Sequence, residues 1–261
     1  MSSEKDATNP TTKVLFVTED DPLYVIQFFD VFFKEYRKEE IDVIGITVVD
    51  AFHEPIWKTA WRMFKFYGPI DFVRLGFRFV VTKLRGRSIK TIAEAAGIKV
   101  IDTHSVNDAS YIKEIKKLSP EVIASVAAPE VFKKDILNTP SKACINIHSG
   151  RLPIYRGMMP NFWQLLHKEE HATITIHEMA EKLDAGGIIS TKAFLLRERD
   201  TLDRVIIGTK QEGAKLMIKV LSTFEKTFAS KQMLDMSDAQ YFSFPTPKDV
   251  KAFRRLGHKM L

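Results

Sequence analysis

The first 150 residues alternate between short apolar runs and longer segments whose apolar residues recur at helical spacing. The short runs are rich in Val and Ile, which predicts buried β-strands over residues 13–17, 41–49, 99–102, 121–126 and 143–148. The segments between them predict helices over residues 22–37, 88–96, 107–118 and 129–137. This alternation predicts an α/β fold, a Rossmann-like, doubly wound and mostly parallel sheet covered on both faces.

The pattern changes after Pro160. Here the sequence predicts a helix over 161–167, strands over 173–178 and 187–196, and a long helix over 202–228. Because no glycine- or serine-rich linker interrupts the chain, we expect one domain over residues 1–229. Residues 230–261 are then a C-terminal tail that packs on this core.

The composition narrows the class of protein. Of the 261 residues, 45% are hydrophobic and 28% charged, which is enough apolar material for a large core. Cys144 is the only cysteine, so an intramolecular disulfide framework is excluded. The first twelve residues lack the apolar region of a signal peptide, and no 18-residue stretch is free of charge. We therefore expect a cytoplasmic protein without a transmembrane helix.

The positive charge is concentrated in one segment. Residues 55–90 hold nine basic residues and one acidic residue, a net +8, whereas the whole chain carries +6. Trp57, Trp61 and Phe64 recur there at helical spacing, and Gly68-Pro69 predicts a break, so we expect a two-helix insertion over about 55–87. Three interpretations stay open. The basic face is solvated, or it contacts the anionic inner surface of the cell membrane, or it binds RNA.

Candidate chemistry lies at the carboxyl end of the predicted sheet. Asn146 and His148 are two residues apart at the end of a strand, so their side chains should lie on the same side. Asp184 lies on a later tight turn that precedes Gly186-Gly187. An Asn amide stabilises a developing oxyanion, a His accepts a proton from an amine, and an Asp orients the imidazole. The set suits transfer of an acyl or formyl group to an amine.

The loop that follows carries a specific resemblance. Residues 144–157 read CINIHSGRLPIYRG, which resembles the N-x-H-x-S-x-L-P-x-Y-R-G signature of the folate-dependent formyltransferases. LDAGG at 183–187 is similar to that family's L-D-T-G-D turn. The resemblance implies the formyltransferase catalytic fold, 10-formyltetrahydrofolate as co-substrate and Asn146, His148 and Asp184 as the catalytic trio. It implies that the pterin lies beside Val126, Ala127, Ala128, Pro129, Val131, Phe132, Glu181 and Leu183.

The resemblance leaves the acceptor amine open. The tail is too short for the C-terminal barrel of methionyl-tRNA formyltransferases, and the loop at 18–22 lacks a glycine-rich phosphate cradle. We therefore expect an amine carried by a nucleotide- or lipid-linked amino sugar, with Arg151, Arg156 and Asn161 as candidate contacts. The alternatives are a tRNA formyltransferase with a shortened C-terminus and a non-catalytic RNA- or membrane-binding protein on this scaffold.

Two further expectations concern metals and assembly. His167, His171 and His177 are spaced by four and six residues without partner cysteines or acids in a ligand pattern, so we expect no metal site and treat them as surface or hydrogen-bonding histidines. The aromatic residues at 241–244 are expected to pack on the core or across a homodimer interface.

Overall fold

A computed structural model describes residues 11–50 and 55–261 of the chain. The strands are β1 (Thr12–Glu19), β2 (Ile41–Val49), β3 (Val100–Thr103), β4 (Val122–Val126), β5 (Ala143–His148), β6 (Arg156–Gly157), β7 (His171–Glu178), β8 (Ile188–Leu195) and β9 (Tyr241–Phe242). The helices are α1 (Val25–Glu35), α2 (Ile56–Leu84), α3 (Ile89–Ala95), α4 (Ala109–Leu118), α5 (Lys134–Leu137), α6 (Pro160–Leu166), α7 (Leu202–Ser222), α8 (Phe224–Ala229) and α9 (Pro247–Arg255).

Seven strands form one twisted sheet in the order β3-β2-β1-β4-β5-β7-β8. The first five are mutually parallel, and β7 and β8 continue the sheet in antiparallel pairing. Two apolar clusters cover its opposite faces, one formed with α1, α3 and α7 and the other with α4 and α5. The predicted doubly wound, mostly parallel α/β fold is confirmed, and the carboxyl ends of β1, β4 and β5 meet at one edge.

Two predicted helices differ from the observed ones. The helix predicted over 129–137 is only α5, because the Glu130 carboxylate accepts hydrogen bonds from Ser105 Oγ, the Val106 amide and Asn107 Nδ2. These bonds to the loop after β3 hold the chain before α5 out of the helix. The long helix predicted over 202–228 is interrupted at Thr223, whose φ of −130° is not helical, so it divides into α7 and α8.

The basic segment forms α2, and it breaks where the sequence predicts. Gly68 adopts φ 75° and Pro69 follows it, so two helical halves meet at an angle. The break frees the carbonyl oxygen of Tyr67, which accepts a 2.7 Å hydrogen bond from Arg254 of α9. None of the helices within 11–50 and 55–261 has both the length and the apolar character needed to cross a bilayer.

The C-terminal segment packs on the core. β9 pairs with β6, and the Phe242 ring lies 5.6 Å from that of Tyr155 and 4.8 Å from that of Trp163. Phe253 of α9 stacks on Phe162 of α6 in a third apolar cluster. These contacts hold the loop after β5 against the body of the protein. The boundary at residue 229 stays a prediction, and residues 1–10 of the predicted domain lie outside the described residues.

Candidate functional site

Asn146 and His148 lie on β5, beside the antiparallel strand β7. Asn146 is directly opposite His177, and His148 is opposite Thr175. Because directly paired residues of neighbouring strands point to the same face of a sheet, these four side chains share one face. Asn146 Nδ2 lies 3.1 Å from His177 Nε2. The sheet register therefore brings a buried histidine against the predicted catalytic amide.

Asp184 approaches the same histidine from the turn before β8. Its backbone adopts φ 50°, and its side chain is buried. One carboxylate oxygen, Oδ1, lies 3.6 Å from His177 Nε2. The other, Oδ2, accepts a 3.1 Å hydrogen bond from the Gly157 amide of β6. The fold thus brings Asn146 and Asp184, 38 positions apart in the sequence, to the same nitrogen of one imidazole, Nε2 of His177.

His177 is a member of the site, whereas the sequence predicts for it only the role of a surface or hydrogen-bonding histidine. Its Nδ1–H donates a 2.8 Å hydrogen bond to the carbonyl oxygen of Glu178, so Nε2 of the uncharged ring accepts from the Asn146 amide. Burial lowers the pKa of His177 below its usual value, although the Asp184 carboxylate opposes the shift. The available signal was a histidine on the strand next to β5, in a run where Ile174 and Ile176 alternate with Thr175 and His177.

His148 is held separately from Asp184. Its Nε2–H donates a 2.6 Å hydrogen bond to the carbonyl oxygen of Tyr155, which leaves Nδ1 of the uncharged ring as an acceptor. Among the described residues, Asp184 makes its histidine contact with His177 and forms no ion pair with His148. The sequence predicts that the Asp184 carboxylate orients His148. In the structure the backbone carbonyl of Tyr155, in the loop after β5, orients it instead.

The predicted substrate residues have different surroundings. Arg156 donates from Nε and Nη2 to the carbonyl oxygen of Leu183, at 3.2 and 2.6 Å, and so ties the loop to the turn that carries Asp184. Arg151 forms a 2.8 Å ion pair with Glu169 at the surface. Asn161 is buried at the start of α6 and donates to Thr209 Oγ1 of α7 at 2.9 Å. The side chain of Arg156 therefore contacts the turn of Asp184, whereas the side chains of Arg151 and Asn161 contact Glu169 and Thr209.

The two segments predicted to hold a pterin offer apolar surface. Val126 ends β4, Ala127 adopts φ 54°, and Phe132 is buried in the core. Val131 and Leu183 expose 52% and 40% of their surface, and Glu181 is also exposed. Ala128 packs on the same apolar cluster as Met179, which directly precedes the second segment, residues 180–184. Small residues with exposed aliphatic side chains nearby fit a flat bicyclic ring.

A second polar cluster lies where β1 ends at the same edge of the sheet. Burial raises the pKa of Glu19 to about 7, and the nearby carboxylate of Asp21 adds to the shift while Lys210 of α7 opposes it. Burial also lowers the pKa of Lys210. β1 and β5 are separated only by β4, so this cluster is about 10 Å from β5 across the sheet. The sequence shows Glu19 only as part of an acidic run.

Metal chemistry has no evident donor set here. In the part of the chain that the structure describes, no group of three or more His, Cys, Asp or Glu side chains could hold a metal ion.

Comparison with known proteins places the chain in a family. The model of the family described as Formyl transferase matches residues 81–221, which is more than half of the chain. The chain belongs to the formyl transferase family. The matched region of this formyl transferase includes Asn146, His148, His177 and Asp184.

The relatives of this formyl transferase include methionyl-tRNA formyltransferases, sugar N-formyltransferases and glycinamide ribonucleotide transformylases. Methionyl-tRNA formyltransferase of Pelotomaculum thermopropionicum is 38% identical over 133 residues, 51% of this chain and 42% of the relative. A sugar N-formyltransferase from Shewanella sp FDAARGOS_354 has a TM-score of 0.57 and 19% identity, over 94% of this chain and 87% of that one. The N-formyltransferase from Helicobacter canadensis has a TM-score of 0.58 and 15% identity, over 95% and 81%.

The similarity extends over different shares of the relatives and of the solved structures. The chain spans about half the length of the curated relatives it matches. The solved structures are covered much further, and at this level of identity they show the shared formyl transferase fold.

Proposed function

We propose that this protein transfers a formyl group from 10-formyltetrahydrofolate to a primary amine. The observation that carries the proposal is the convergence of Asn146 and Asp184 on His177, at 3.1 and 3.6 Å, with His148 two residues further along β5. This places a neutral amide donor, a carboxylate and an imidazole acceptor at the carboxyl edge of the sheet, where α/β proteins bind ligands. The formyl group is supplied by the folate when it is bound.

The chain's own residues then have distinct roles. The amide of Asn146 has a second N–H, which donates to a carbonyl oxygen as negative charge develops on it. The free Nδ1 of His148 accepts a proton from the attacking amine. That proton is then returned to the leaving nitrogen as its bond to the formyl carbon breaks, and the Asp184 carboxylate stabilises the positive charge that develops nearby. His177 is a positioning residue, because its neutral Nε2 accepts from Asn146 and so fixes the orientation of that amide.

Substitution of each trio residue tests these roles. We expect Asn146→Ala, His148→Ala and Asp184→Ala each to lower kcat by at least about a hundredfold, since oxyanion stabilisation and proton transfer are lost. The measurement is formation of tetrahydrofolate and of the N-formyl product by mass spectrometry. Glu198→Ala, at an exposed position in the turn after β8, is the control and should keep the parent rate. Near-parent rates in the trio variants would contradict the proposal.

The acceptor that we propose is a nucleotide- or lipid-linked amino sugar. The support is the similarity to sugar N-formyltransferases, among them the Helicobacter canadensis protein solved with folinic acid and dTDP-3-aminofucose. The Glu19 carboxyl at the same sheet edge is able to accept hydrogen bonds from sugar hydroxyls or the amine. A panel of nucleotide-linked amino sugars, assayed with the formyl donor, tests this assignment.

A second candidate acceptor is the amine of a methionyl-tRNA. Its support is the 38% and 32% identity to methionyl-tRNA formyltransferases, together with the net +8 of residues 55–90. Direct competition decides between the two: the preferred acceptor is formylated with the higher kcat/KM. If neither is formylated and calorimetry detects no folate binding, the protein is the non-catalytic scaffold instead.

A further inference from the structure

The second half of α2 carries a line of exposed apolar side chains. They are 53–82% exposed and follow one another at intervals of three, four, three and four residues: Ile70, Val73, Phe77, Val80 and Leu84. At 100° per residue they fall within an arc of about 80°, and at 1.5 Å per residue they extend over about 20 Å. We call these five residues the outer stripe.

The outer stripe faces away from the protein because the opposite side of the helix is anchored. Phe72 and Leu75 pack against the third apolar cluster. Arg78 forms a 2.7 Å ion pair with Asp203 of α7. These contacts fix the rotation of the helix, so the stripe is presented to solvent in the folded protein. An ordered apolar stripe of this length on a protein surface marks an interaction site.

Cations flank the outer stripe. At helical spacing Arg74 and Arg85 follow one edge of the stripe. Lys83, which pairs with Asp20 at 3.5 Å, follows the other edge, and all three are exposed. The only acid in this half of α2 is Asp71, which pairs with Arg74 at 3.4 Å. A second copy of the chain would bring these like charges together across the interface, which disfavours self-association. RNA would engage the cations, but four of the five stripe residues are aliphatic and offer no ring for base stacking.

The first half of α2 also places exposed apolar side chains next to cations, but here the apolar residues are aromatic. Trp57 and Trp61 are 66% and 55% exposed, with Lys58 and Lys65 over their rings. They line an open cavity of about 250 Å³ together with Phe244 of the tail. Exposed Trp with neighbouring Lys is the composition of helices that lie in a membrane interface.

We infer that α2 is a docking surface for an anionic lipid bilayer. The outer stripe enters the boundary between headgroups and acyl chains, and the flanking cations contact lipid phosphates. The second half of α2 lies in the plane of the interface. This inference is independent of the formyl-transfer proposal, since none of its residues belongs to the trio.

Vesicle sedimentation of the full chain tests the inference. Vesicles of phosphatidylcholine are compared with vesicles containing about one third phosphatidylglycerol, and we expect binding to rise about fivefold for each cation engaged. Val73→Ser with Phe77→Ser should weaken binding to the anionic vesicles by at least about tenfold, because two apolar side chains no longer enter the interface. Arg74→Gln with Arg85→Gln should remove most of the preference for anionic lipid.

The matched control replaces exposed apolar residues outside α2. Leu195→Ser with Met233→Ser, at positions 61% and 79% exposed, should bind vesicles as the parent does. Equal unfolding temperatures for both pairs of variants show that folding is intact. The inference is overturned if anionic vesicles do not sediment the protein or if the control pair loses binding equally. It is also overturned if the stripe substitutions abolish dimerisation or tRNA binding and leave vesicle binding unchanged.

Discussion

Gly186 offers a way to displace Asp184 without changing any chemical group of the site. It lies two residues after Asp184, and its backbone passes directly against Glu178, the carbonyl of which accepts from His177. A Cβ at position 186 would overlap the Glu178 carbonyl oxygen and lie 2.7 Å from its carbonyl carbon, against 3.4 Å for ordinary contact. Because both atoms belong to backbone, the turn has to move rather than a side chain.

The size of the effect follows from that displacement. Restoring contact moves the turn by about 1 Å, and a misplacement of this size costs about a hundredfold in rate when it affects a reacting group. The movement lengthens both the Asp184–His177 contact of 3.6 Å and the Asp184–Gly157 hydrogen bond of 3.1 Å. The crowding also lowers the free energy of unfolding, by about 1–3 kcal/mol. We expect Gly186→Ala to lose about a hundredfold in kcat while remaining folded.

The neighbouring glycine is a matched control. A Cβ at Gly187 meets the Gln232 carbonyl oxygen at 3.3 Å and Lys231 side-chain atoms at 3.5 Å, which a small shift accommodates. The assay is steady-state kinetics of both variants with the preferred amine, after thermal unfolding has verified the folded fraction. If Gly186→Ala retains the kcat of Gly187→Ala, the position of Asp184 does not control the reaction and the reasoning is refuted.

Two further predictions concern buried titratable groups. His177→Gln should lower kcat about tenfold through a less ordered Asn146 amide, and it should reduce the loss of stability in acid. The sign follows from the lowered pKa of His177, because burial favours the uncharged ring. The contribution of His177 to the free energy of unfolding is complete above pH 6.5, and it is lost as the pH falls through the pKa of the folded state. Burial raises the pKa of Glu19 to about 7. Its contribution to the free energy of unfolding is therefore present below pH 4.5 and is lost as the pH rises through 7. Between pH 4.5 and 7 the free energy of unfolding should therefore fall by at most about 3 kcal/mol through Glu19, and Glu19→Gln should reduce that fall. Chemical denaturation across pH 4 to 9 measures both; parallel curves for parent and variants would contradict them.

Sequence reasoning located the strands better than the helices. β2 and β5 have the predicted bounds, since buried parallel strands are continuous apolar runs that end abruptly at polar loops. The helix predicted from 129 shortened to α5 because Glu130 is bound across the fold by residues 105–107. Such a contact leaves no periodic signal near residue 130 itself.

Residue type and short spacing were enough to predict the α/β architecture and the break at Gly68-Pro69. The candidate trio of Asn146, His148 and Asp184 depends in addition on the resemblance of residues 144–157 and 183–187 to a family signature, and it stays a prediction. The tertiary structure decided the partners. His177 entered the site through the register of β7 on β5, and the same register left His148 to a backbone carbonyl. The tertiary structure also determines that the outer stripe of α2 is exposed. Apolar periodicity predicts a helix, but the ion pair between Arg78 and the distant Asp203 fixes which face of that helix points to the protein. Pairing between strands and helices far apart in the chain is set by the whole core, which no short stretch of sequence encodes.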